Sequence, residues 1–418
     1  MDEVLQSATD VRITDYAEPQ YAPDIRALMD SVASMAADLR LETDAVIAEA
    51  ASQAALDDFG DPSFRERLDV LLHGLREEAG LSQWGVLSNH TLVVQLLKNR
   101  LLIQDLLNRH PEIADQPVEC PIIICGLPRT GTTHLHNLIS ADASLRSLPY
   151  WESLEPVPVP GEEPDGRRAR TELAVDTFNA VMPLFPAMHE MTVDHVHEEI
   201  QLLAIDFSSM LFETMSLMPS WHDWYRDHDQ TPHYRYLRTV LQVLQWLRGP
   251  TRWVLKSPQH LEQFGPLHAV FQDATFVVTH RDPVSVVASM ITMLAYTARM
   301  SIERPDPKAY GAYWMPRLER MLQACARDHA LLPADQTIDV HFDAFMADDV
   351  AMVERICALA GHPFTPTAKA AMDAFMADHP RGKFGRIDYD LADFGLDAGE
   401  CRERFAFYVD RFGVTPES

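Results

Sequence analysis

One stretch, residues 121–140, constrains the fold more than any other part of this 418-residue chain. It reads PIIICGLPRTGTTHLHNLIS, which is an apolar run, a loop of small and hydroxyl-bearing residues with one arginine, and an amphipathic segment. Consecutive apolar residues are typical of a central parallel strand, and a helix that follows such a loop begins beside it. Free N–H groups and the helix dipole favour an anion at that point. The stretch therefore predicts a phosphate-binding loop in an α/β fold.

The loop departs from the pattern of nucleoside triphosphatases. The spacing of Gly126 and Gly131 matches G-x-x-x-x-G-K-[ST], but Thr132 occupies the position of the lysine. Because that lysine normally reaches the β- and γ-phosphates, its absence argues against ordinary ATP or GTP hydrolysis. The candidate anion ligands of the loop are Arg129, Thr130, Gly131, Thr132 and Thr133.

Two further strand-like runs, in RWVLKSPQH and ATFVVTHRDP, also lead to a cation. Lys256 ends the first run and Arg281 follows the second, ahead of a helix that carries Ser289. Ligands of open parallel sheets bind at the carboxyl ends of the strands, so we expect Arg129, Lys256 and Arg281 to lie at one edge. The planar fork of an arginine suits phosphate because it donates two parallel hydrogen bonds.

The blocks GLPRTGTT, KSP and R-x₇-S, in this order, resemble those of sulfotransferases that use 3′-phosphoadenosine 5′-phosphosulfate (PAPS), of the bacterial type. The resemblance implies a P-loop-like parallel sheet flanked by helices, with PAPS as donor and no metal. Arg129 and the residues after it would bind the 5′-phosphosulfate, and Arg281 and Ser289 the 3′-phosphate. A basic loop near the C-terminus resembles the one that closes over the 3′-phosphate in this family, and its residues are Arg381, Gly382 and Lys383.

The resemblance also implies a catalytic base. In cytosolic sulfotransferases a histidine follows the lysine by two residues, but Pro258 occupies that position and His260 lies two residues too far on. The chain is therefore closer to the protein-tyrosine and heparan branch, in which a glutamate a little over twenty residues after the loop cation is the base. Glu152 is the first choice for this role and Glu198 the second. Lys256 and Arg129 would stabilise charge on the leaving phosphate and the transferring group.

Charge and cysteine content exclude several classes of protein. The chain has 35 basic and 62 acidic residues, a net charge of −27, which disfavours nucleic acids and anionic membranes as partners. The five cysteines are scattered and form no C-x-x-C pair, so we expect a reducing compartment and no structural zinc. The sequence MDEVLQSATD lacks the basic and apolar blocks of a signal peptide, and no apolar run approaches the length of a membrane span. The expectation is a cytoplasmic protein.

Apolar periodicity predicts the organisation of the chain. We expect a helical region at 1–118, an α/β core at 119–345, and C-terminal helices with the 3′-phosphate loop at 346–418 in the same domain. Residues 188–199 contain three histidines and several carboxylates. Because they lack any standard ligand spacing, they favour a helix N-terminus over a metal site, with His195 and Glu199 on one helix face.

Two alternatives remain open from the sequence. One is a P-loop-type phosphotransferase or kinase that uses Arg129 in place of the lysine and depends on a metal ion. The other is a non-catalytic nucleotide-binding protein. The acceptor, a small-molecule or lipid-like hydroxyl, and the oligomeric state are not defined by the sequence.

Overall fold

The computed structural model describes residues 10–249, 251–380 and 382–417. The strands are β1 (Asp10–Arg12), β2 (Ile122–Cys125), β3 (Leu145–Arg146), β4 (Leu148–Pro149), β5 (Val196–His197), β6 (Arg252–Ser257), β7 (Thr275–His280), β8 (Thr337–His341) and β9 (Arg386–Asp388). The helices before β6 are α1 (Pro23–Ala36), α2 (Thr43–Ala54), α3 (Phe64–Glu77), α4 (Gln83–Arg109), α5 (Thr132–Ser140), α6 (Tyr150–Leu154), α7 (Gly166–Val181), α8 (Phe185–Met188), α9 (Ile200–Ala204), α10 (Leu211–Met215), α11 (Pro219–Asp227) and α12 (Thr231–Arg248). The helices after β6 are α13 (Phe264–Val270), α14 (Pro283–Ser301), α15 (Pro307–Asp328), α16 (Phe342–Ala347), α17 (Asp349–Leu359), α18 (Pro366–Asp378) and α19 (Ala398–Phe412).

The central sheet has the strand order β3-β6-β2-β7-β8, and every neighbouring pair is parallel. β2 lies in the middle, with Ile124 opposite Lys256 of β6 and Cys125 opposite Val278 of β7. The α/β fold with a parallel sheet flanked by helices, predicted from the sequence, is confirmed. The three strands that lead to Arg129, Lys256 and Arg281 are adjacent, so their carboxyl ends form one edge.

The residues of β2 show how both faces of this sheet are covered. Ile123 and Cys125 pack into the larger core, which includes side chains of α4, α12 and α14, whereas Ile122 and Ile124 pack into a smaller core with α5, α17 and α18. Successive side chains of a strand point to opposite faces, so burial on both sides requires an apolar residue at every position. Full burial of each such side chain stabilises the fold by roughly 1.5–3 kcal/mol.

The N-terminal helices are tied to the rest of the chain by buried ion pairs. Arg67 of α3 and Arg100 of α4 contact Asp206 at 2.6 and 2.7 Å, and His233 Nδ1 lies 2.6 Å from the same carboxylate. β1 pairs in parallel with β9, near the other end of the sequence. The domain boundaries at residues 118 and 345 stay predictions.

α14 begins as the sequence predicts and carries one predicted site residue, Ser289. Asp282 caps it by accepting a hydrogen bond from the backbone N–H of Val284 at 3.0 Å, and Pro283 occupies the first turn. Within the described ranges it is the one helix with the length and hydropathy of a membrane span. Of its apolar window 61% is buried inside the protein, against α4, α15 and α19 among others. These contacts are those of a core helix.

Candidate active site

The loop between β2 and α5 is shaped by two glycines. A Cβ atom on Gly126 would lie 1.9 Å from Thr279 Oγ1, so a glycine is needed where β2 ends close to β7. Gly131 has a φ of 84°, a conformation that glycine adopts without strain, and it forms the N-cap of α5. The N–H groups of the first helical turn, which includes Thr132 and Thr133, have no intrahelical acceptor. The backbone therefore has the geometry of an anion-binding loop.

The hydroxyl of Thr130 is used inside the loop. Its Oγ1 donates to the backbone oxygen of Leu127 at 2.7 Å and lies 2.7 Å from Thr279 Oγ1. The side chain is 3% exposed. Thr130 therefore stabilises the turn, and its backbone is the part left for contact with a bound anion.

Arg129 brings the residues of the predicted nucleotide site together. Its Nε donates to Ser289 Oγ at 2.8 Å, its Nη1 donates to the backbone oxygen of Met188, and its Nη2 donates to the hydroxyl of Tyr389 at 3.4 Å. Nη1 of Arg281 donates to the backbone oxygen of Arg129 at 2.7 Å. Arg129 thus forms one connected group at the sheet edge with Arg281 and Ser289, which lie 152 and 160 residues further along the chain.

The guanidinium of Arg281 holds a carboxylate in this structure. Its Nε and Nη2 donate to the two carboxylate oxygens of Glu417 at 2.6 and 2.7 Å, and its Cζ lies 4.0 Å from the centre of the Phe342 ring. The backbone N–H of Glu417 donates to Asp282 Oδ2 at 2.7 Å. A carboxylate presents two oxygens to an arginine fork in the same way as a phosphate does. The residue predicted to bind the 3′-phosphate is therefore oriented to bind an oxyanion.

Lys256 lies between the loop and a glutamate. Its ammonium pairs with Glu198 and lies 3.4 Å from Thr133 Oγ1. The side chain of Lys256 is 4% exposed and that of Glu198 is 18% exposed. The structure thus brings together Lys256, Glu198 and the first turn of α5.

Glu152 lies elsewhere. Its carboxylate is 1% exposed and pairs with Arg146 of β3 at 3.3 Å and with Arg248, the last residue of α12, at 3.0 Å. Arg146 is in register with Trp253, three residues before Lys256 and hence roughly 10 Å away along β6. Both partners of Glu152 are arginines outside the predicted site, whereas Glu198 contacts a predicted site residue directly.

Four histidines surround Lys256. The rings of His189 and His195 are 5.1 Å apart and those of His195 and His197 are 5.7 Å apart. Burial and the positive charge of Lys256 lower the pKa of His195 to about 4, and the same two causes lower the pKa of His136 to about 3. These side chains are therefore uncharged at neutral pH. Among the residues that the structure describes, no group of three His, Cys, Asp or Glu side chains is arranged to hold a metal ion.

The helix N-terminus predicted within residues 188–199 lies only at the end of that segment. Val196–His197 forms β5, which pairs antiparallel with β4, and α9 begins only at Ile200. His195 and Glu199 therefore do not share a helix face, and the carboxylate-rich helix start consists of Glu199 at the N-cap of α9. The strand pairing, with His197 opposite Leu148, is a contact distant in sequence that local periodicity does not contain.

The described part of the C-terminal basic loop contacts the segment around α8. Lys383 Nζ lies 3.4 Å from Glu190 Oε1, just after α8, and Gly382 has a φ of 77°. Arg381, the other cation predicted there, lies outside the described residues. Beyond this loop, Tyr389 contacts Arg129. Sequence reasoning did not assign a role to this tyrosine, nor to Glu199 and Glu417, because their contacts depend on tertiary structure alone.

Comparisons with known proteins agree on one family and one fold. A family model described as the sulfotransferase family matches residues 121–366, more than half of the chain. Sulfotransferase STF1 from Mycobacterium tuberculosis H37Rv is 31% identical with a TM-score of 0.77, over 87% of this chain and 98% of that chain. Sulfotransferase STF9 from Mycobacterium avium is 26% identical with a TM-score of 0.82, over 91% of this chain and 99% of that chain. A comparison with curated proteins gave no match.

Proposed function

Because this chain belongs to the sulfotransferase family, we propose that it transfers the sulfuryl group of PAPS to a hydroxyl of a small-molecule or lipid-like acceptor. The observation that carries the proposal is the pair of connected groups at one sheet edge. Arg129, Arg281 and Ser289 form one, and Lys256, Glu198 and Thr133 form the other. PAPS has an anionic group at each end of its ribose, which matches two such groups in one chain.

The described residues fit the donor. The Arg281 fork already binds a carboxylate in two-point geometry, and the loop approaches β7 so closely that a Cβ at Gly126 would clash. We assign the 3′-phosphate to Arg281, Ser289, Gly382 and Lys383, with Arg381 as a further candidate. The 5′-phosphosulfate is assigned to the loop, that is to Arg129, Thr130, Gly131, Thr132 and Thr133.

Glu198 is the proposed base, and Glu152 is the less favoured candidate because two arginines occupy its oxygens. Bound PAPS supplies a sulfuryl group activated by its link to phosphate. Glu198 accepts the proton of the acceptor hydroxyl as the oxygen forms its bond to sulfur. The bond from sulfur to the 5′-phosphate oxygen breaks, and the electron pair stays on that oxygen. Lys256 and Arg129 stabilise the charge that develops there.

The acceptor side of the proposal follows from charge and burial. Glu198 and Glu199 are adjacent carboxylates in a chain of net charge −27, which disfavours a strongly anionic acceptor. The neutral histidines around Lys256 provide hydrogen-bonding groups without charge. A cytoplasmic location, the compartment expected from cysteine usage, is part of the same proposal.

Calorimetric binding of 3′-phosphoadenosine 5′-phosphate (PAP), ADP and ATP without magnesium tests the donor site. We expect PAP to bind in preference to ADP and ATP. Arg281→Ala should weaken PAP binding by roughly 10- to 100-fold, since hydrogen bonds to charged groups contribute about 1.5–3 kcal/mol. Arg402→Ala, which removes an exposed arginine on α19, is the matched control and should leave the affinity unchanged.

The outcomes separate the three candidate functions. A preference for ATP that requires magnesium would contradict the proposal and support a phosphotransferase. Suppose that the protein binds PAP but forms no PAP from PAPS with any phenol, sterol, lipid-alcohol, quinol or sugar acceptor. That result would support a non-catalytic nucleotide-binding protein. PAP binding together with acceptor-dependent PAP release would support sulfuryl transfer.

A further inference from the structure

Glu199, the residue after the proposed base, belongs to a buried chain of contacts. Its Oε1 lies 2.5 Å from His260 Nε2, and His260 Nδ1 lies 2.7 Å from the hydroxyl of Tyr234. Glu199 is 1% exposed, and His260 and Tyr234 are 0% exposed. Because an ionised carboxylate only accepts hydrogen bonds, Nε2 of His260 carries the hydrogen in this contact. Both ring nitrogens of His260 therefore have a partner.

The second carboxylate oxygen of Glu199 contacts the backbone of Lys256. Oε2 accepts a hydrogen bond from the Lys256 N–H at 2.7 Å. The same lysine pairs through its ammonium with Glu198. Two consecutive glutamates thus hold one lysine, one at its backbone and the other at its side chain. This closed ring of contacts fixes where the carboxylate of Glu198 lies relative to Lys256.

The charge state of Glu199 is consistent with this arrangement. Burial would raise its pKa, but His260 and hydrogen bonds that include the one from the Lys256 N–H lower it overall. The carboxylate is therefore ionised at neutral pH. A buried carboxylate contributes little net stability compared with an apolar residue of the same volume, because desolvation offsets the attraction of its partners. Precise placement of neighbouring groups is a role for which its directional hydrogen bonds are better suited than an apolar contact.

We propose that Glu199, His260 and Tyr234 form a positioning network that holds the backbone of Lys256 and so orients the Glu198–Lys256 pair for sulfuryl transfer. The inference rests on the proposed function, since it assigns a role in that reaction. None of the three residues needs to touch the donor or the acceptor. The network acts through Lys256 and through the peptide link between residues 198 and 199.

The test separates turnover from donor binding. Turnover is measured as the rate at which PAP is formed from PAPS, with water and with alcohol acceptors. Donor binding is measured by calorimetry as the affinity for PAP. Misplacement of reacting groups by about 1 Å costs on the order of 100-fold in rate. We expect Glu199→Ala to lower turnover by about that factor and to change the PAP affinity less than about threefold. Glu199→Gln, which keeps an oxygen to accept from the Lys256 N–H, should recover part of the loss.

Tyr234→Phe tests the far end of the network with minimal loss of packing. It removes only the hydroxyl that faces His260 Nδ1, and we expect turnover to fall about three- to tenfold with PAP affinity unchanged. Tyr225→Phe is the matched control. Tyr225 is also buried, and its hydroxyl accepts from Gln263 at 3.5 Å outside this network. It should keep wild-type turnover.

Each result has a defined meaning. Equal turnover of Tyr234→Phe, Tyr225→Phe and the wild type would overturn the inference and leave the proposed function intact. Equal losses of turnover and PAP affinity in the Glu199 variants would also overturn it, because they would indicate general disruption. A wild-type protein that neither binds PAP nor releases it from PAPS would contradict the proposed function and the inference together.

Discussion

Glu152 and Glu198 both form ion pairs, but they differ in exposure and in the number of cations they contact. Glu152 is 1% exposed and lies between two arginines, at 3.3 and 3.0 Å. Those arginines stack on tryptophans, Arg146 on Trp253 at 4.2 Å and Arg248 on Trp151 at 5.5 Å. Every charge in this first group has a fixed partner. The arrangement is that of a structural ion pair.

Glu198 has a different environment. Its side chain is 18% exposed and contacts a single lysine whose ammonium also faces the hydroxyl of Thr133. Nearby, both ring nitrogens of buried His197 are without a hydrogen-bond partner in the described part of the chain. Unsatisfied buried polar groups are uncommon in proteins and need an explanation. A substrate with several oxygens would provide their partners, so the difference favours Glu198 as the catalytic group.

The largest expected effect is that of Glu198→Gln on turnover. The amide cannot accept the acceptor proton, and general base catalysis contributes about 10²- to 10⁴-fold. We therefore expect PAP release from PAPS to fall by about that factor, with the affinity for PAP within about threefold of the wild type. Glu152→Gln is the comparison variant and should keep wild-type turnover per folded molecule. The opposite pattern would assign the base to Glu152.

Glu152→Gln should instead affect stability. Removal of one partner from a buried ion pair typically costs about 3–5 kcal/mol, because the remaining charges are left unpaired. The measurement is the free energy of unfolding from denaturant titration. Asp105→Asn is a control for the loss of an exposed ion pair, since Asp105 pairs with the half-exposed Arg109 at 2.8 Å. It should cost less than about 0.5 kcal/mol. If Glu152→Gln were as stable as this control, the ion pairs of Glu152 would not be structural and the contrast with Glu198 would be lost.

The sequence predicted the nucleotide side of the site better than the catalytic side. The strands before Arg129 and Arg281 and the helix after each are local features, since apolar runs, glycines and a Pro-containing cap define them. Strand order is not local, but ligands of parallel sheets bind at the carboxyl edge, and the three cations do lie there. The central parallel sheet is thereby confirmed, while the roles of the individual side chains stay predictions.

The choice of base depended on a contact that the sequence does not contain. Glu152 lies at the family's expected distance after Arg129, but spacing along the chain does not indicate where a side chain points once a short helix such as α6 forms. Glu198 reaches Lys256 because β5 pairs with β4 and leads the chain to the end of β6. Glu417 contacts Arg281 from 136 residues away. No local pattern marks either contact.

Acid should lower the free energy of unfolding through the groups around Glu198 more than through those around Glu152. The arginines that pair with Glu152 keep their charge as the pH falls. His195 is neutral in the folded protein because burial and Lys256 lower its pKa to about 4, so acid must add a proton to it. Below an unfolded-state pKa of about 6.5 the unfolded chain binds this proton and the folded chain does not, so stability falls as the pH drops. The loss continues to about pH 4 and amounts to at most about 3 kcal/mol.

Unfolding free energies at pH 6.5 and pH 5 measure this difference. His195→Asn should show a smaller decrease between the two pH values than the wild type, by about 1–2 kcal/mol. His228→Asn, a change at an exposed histidine after α11, should behave like the wild type. A decrease that His195→Asn leaves unchanged would contradict the view that a partly buried neutral histidine borders the site.

The smallest expected effect concerns a third paired carboxylate, that of Glu417, which has features of both glutamates above. Its bidentate contact with Arg281 resembles a structural pair, but its partner is the residue assigned to the 3′-phosphate. Since one guanidinium fork cannot hold a carboxylate and a phosphate in the same geometry, PAP must displace Glu417. A partly exposed pair contributes about 1 kcal/mol or less, so loss of the Glu417–Arg281 pair should raise the PAP affinity about two- to fivefold.

We expect this gain in affinity for Glu417→Gln, measured by calorimetry. We expect none for Glu403→Gln, which removes the same charge from the exposed face of α19. Unchanged or weaker PAP binding by Glu417→Gln would mean that the carboxylate orients Arg281 rather than competing with PAP for it. Glu417 would then be a structural ion-pair partner, as Glu152 is.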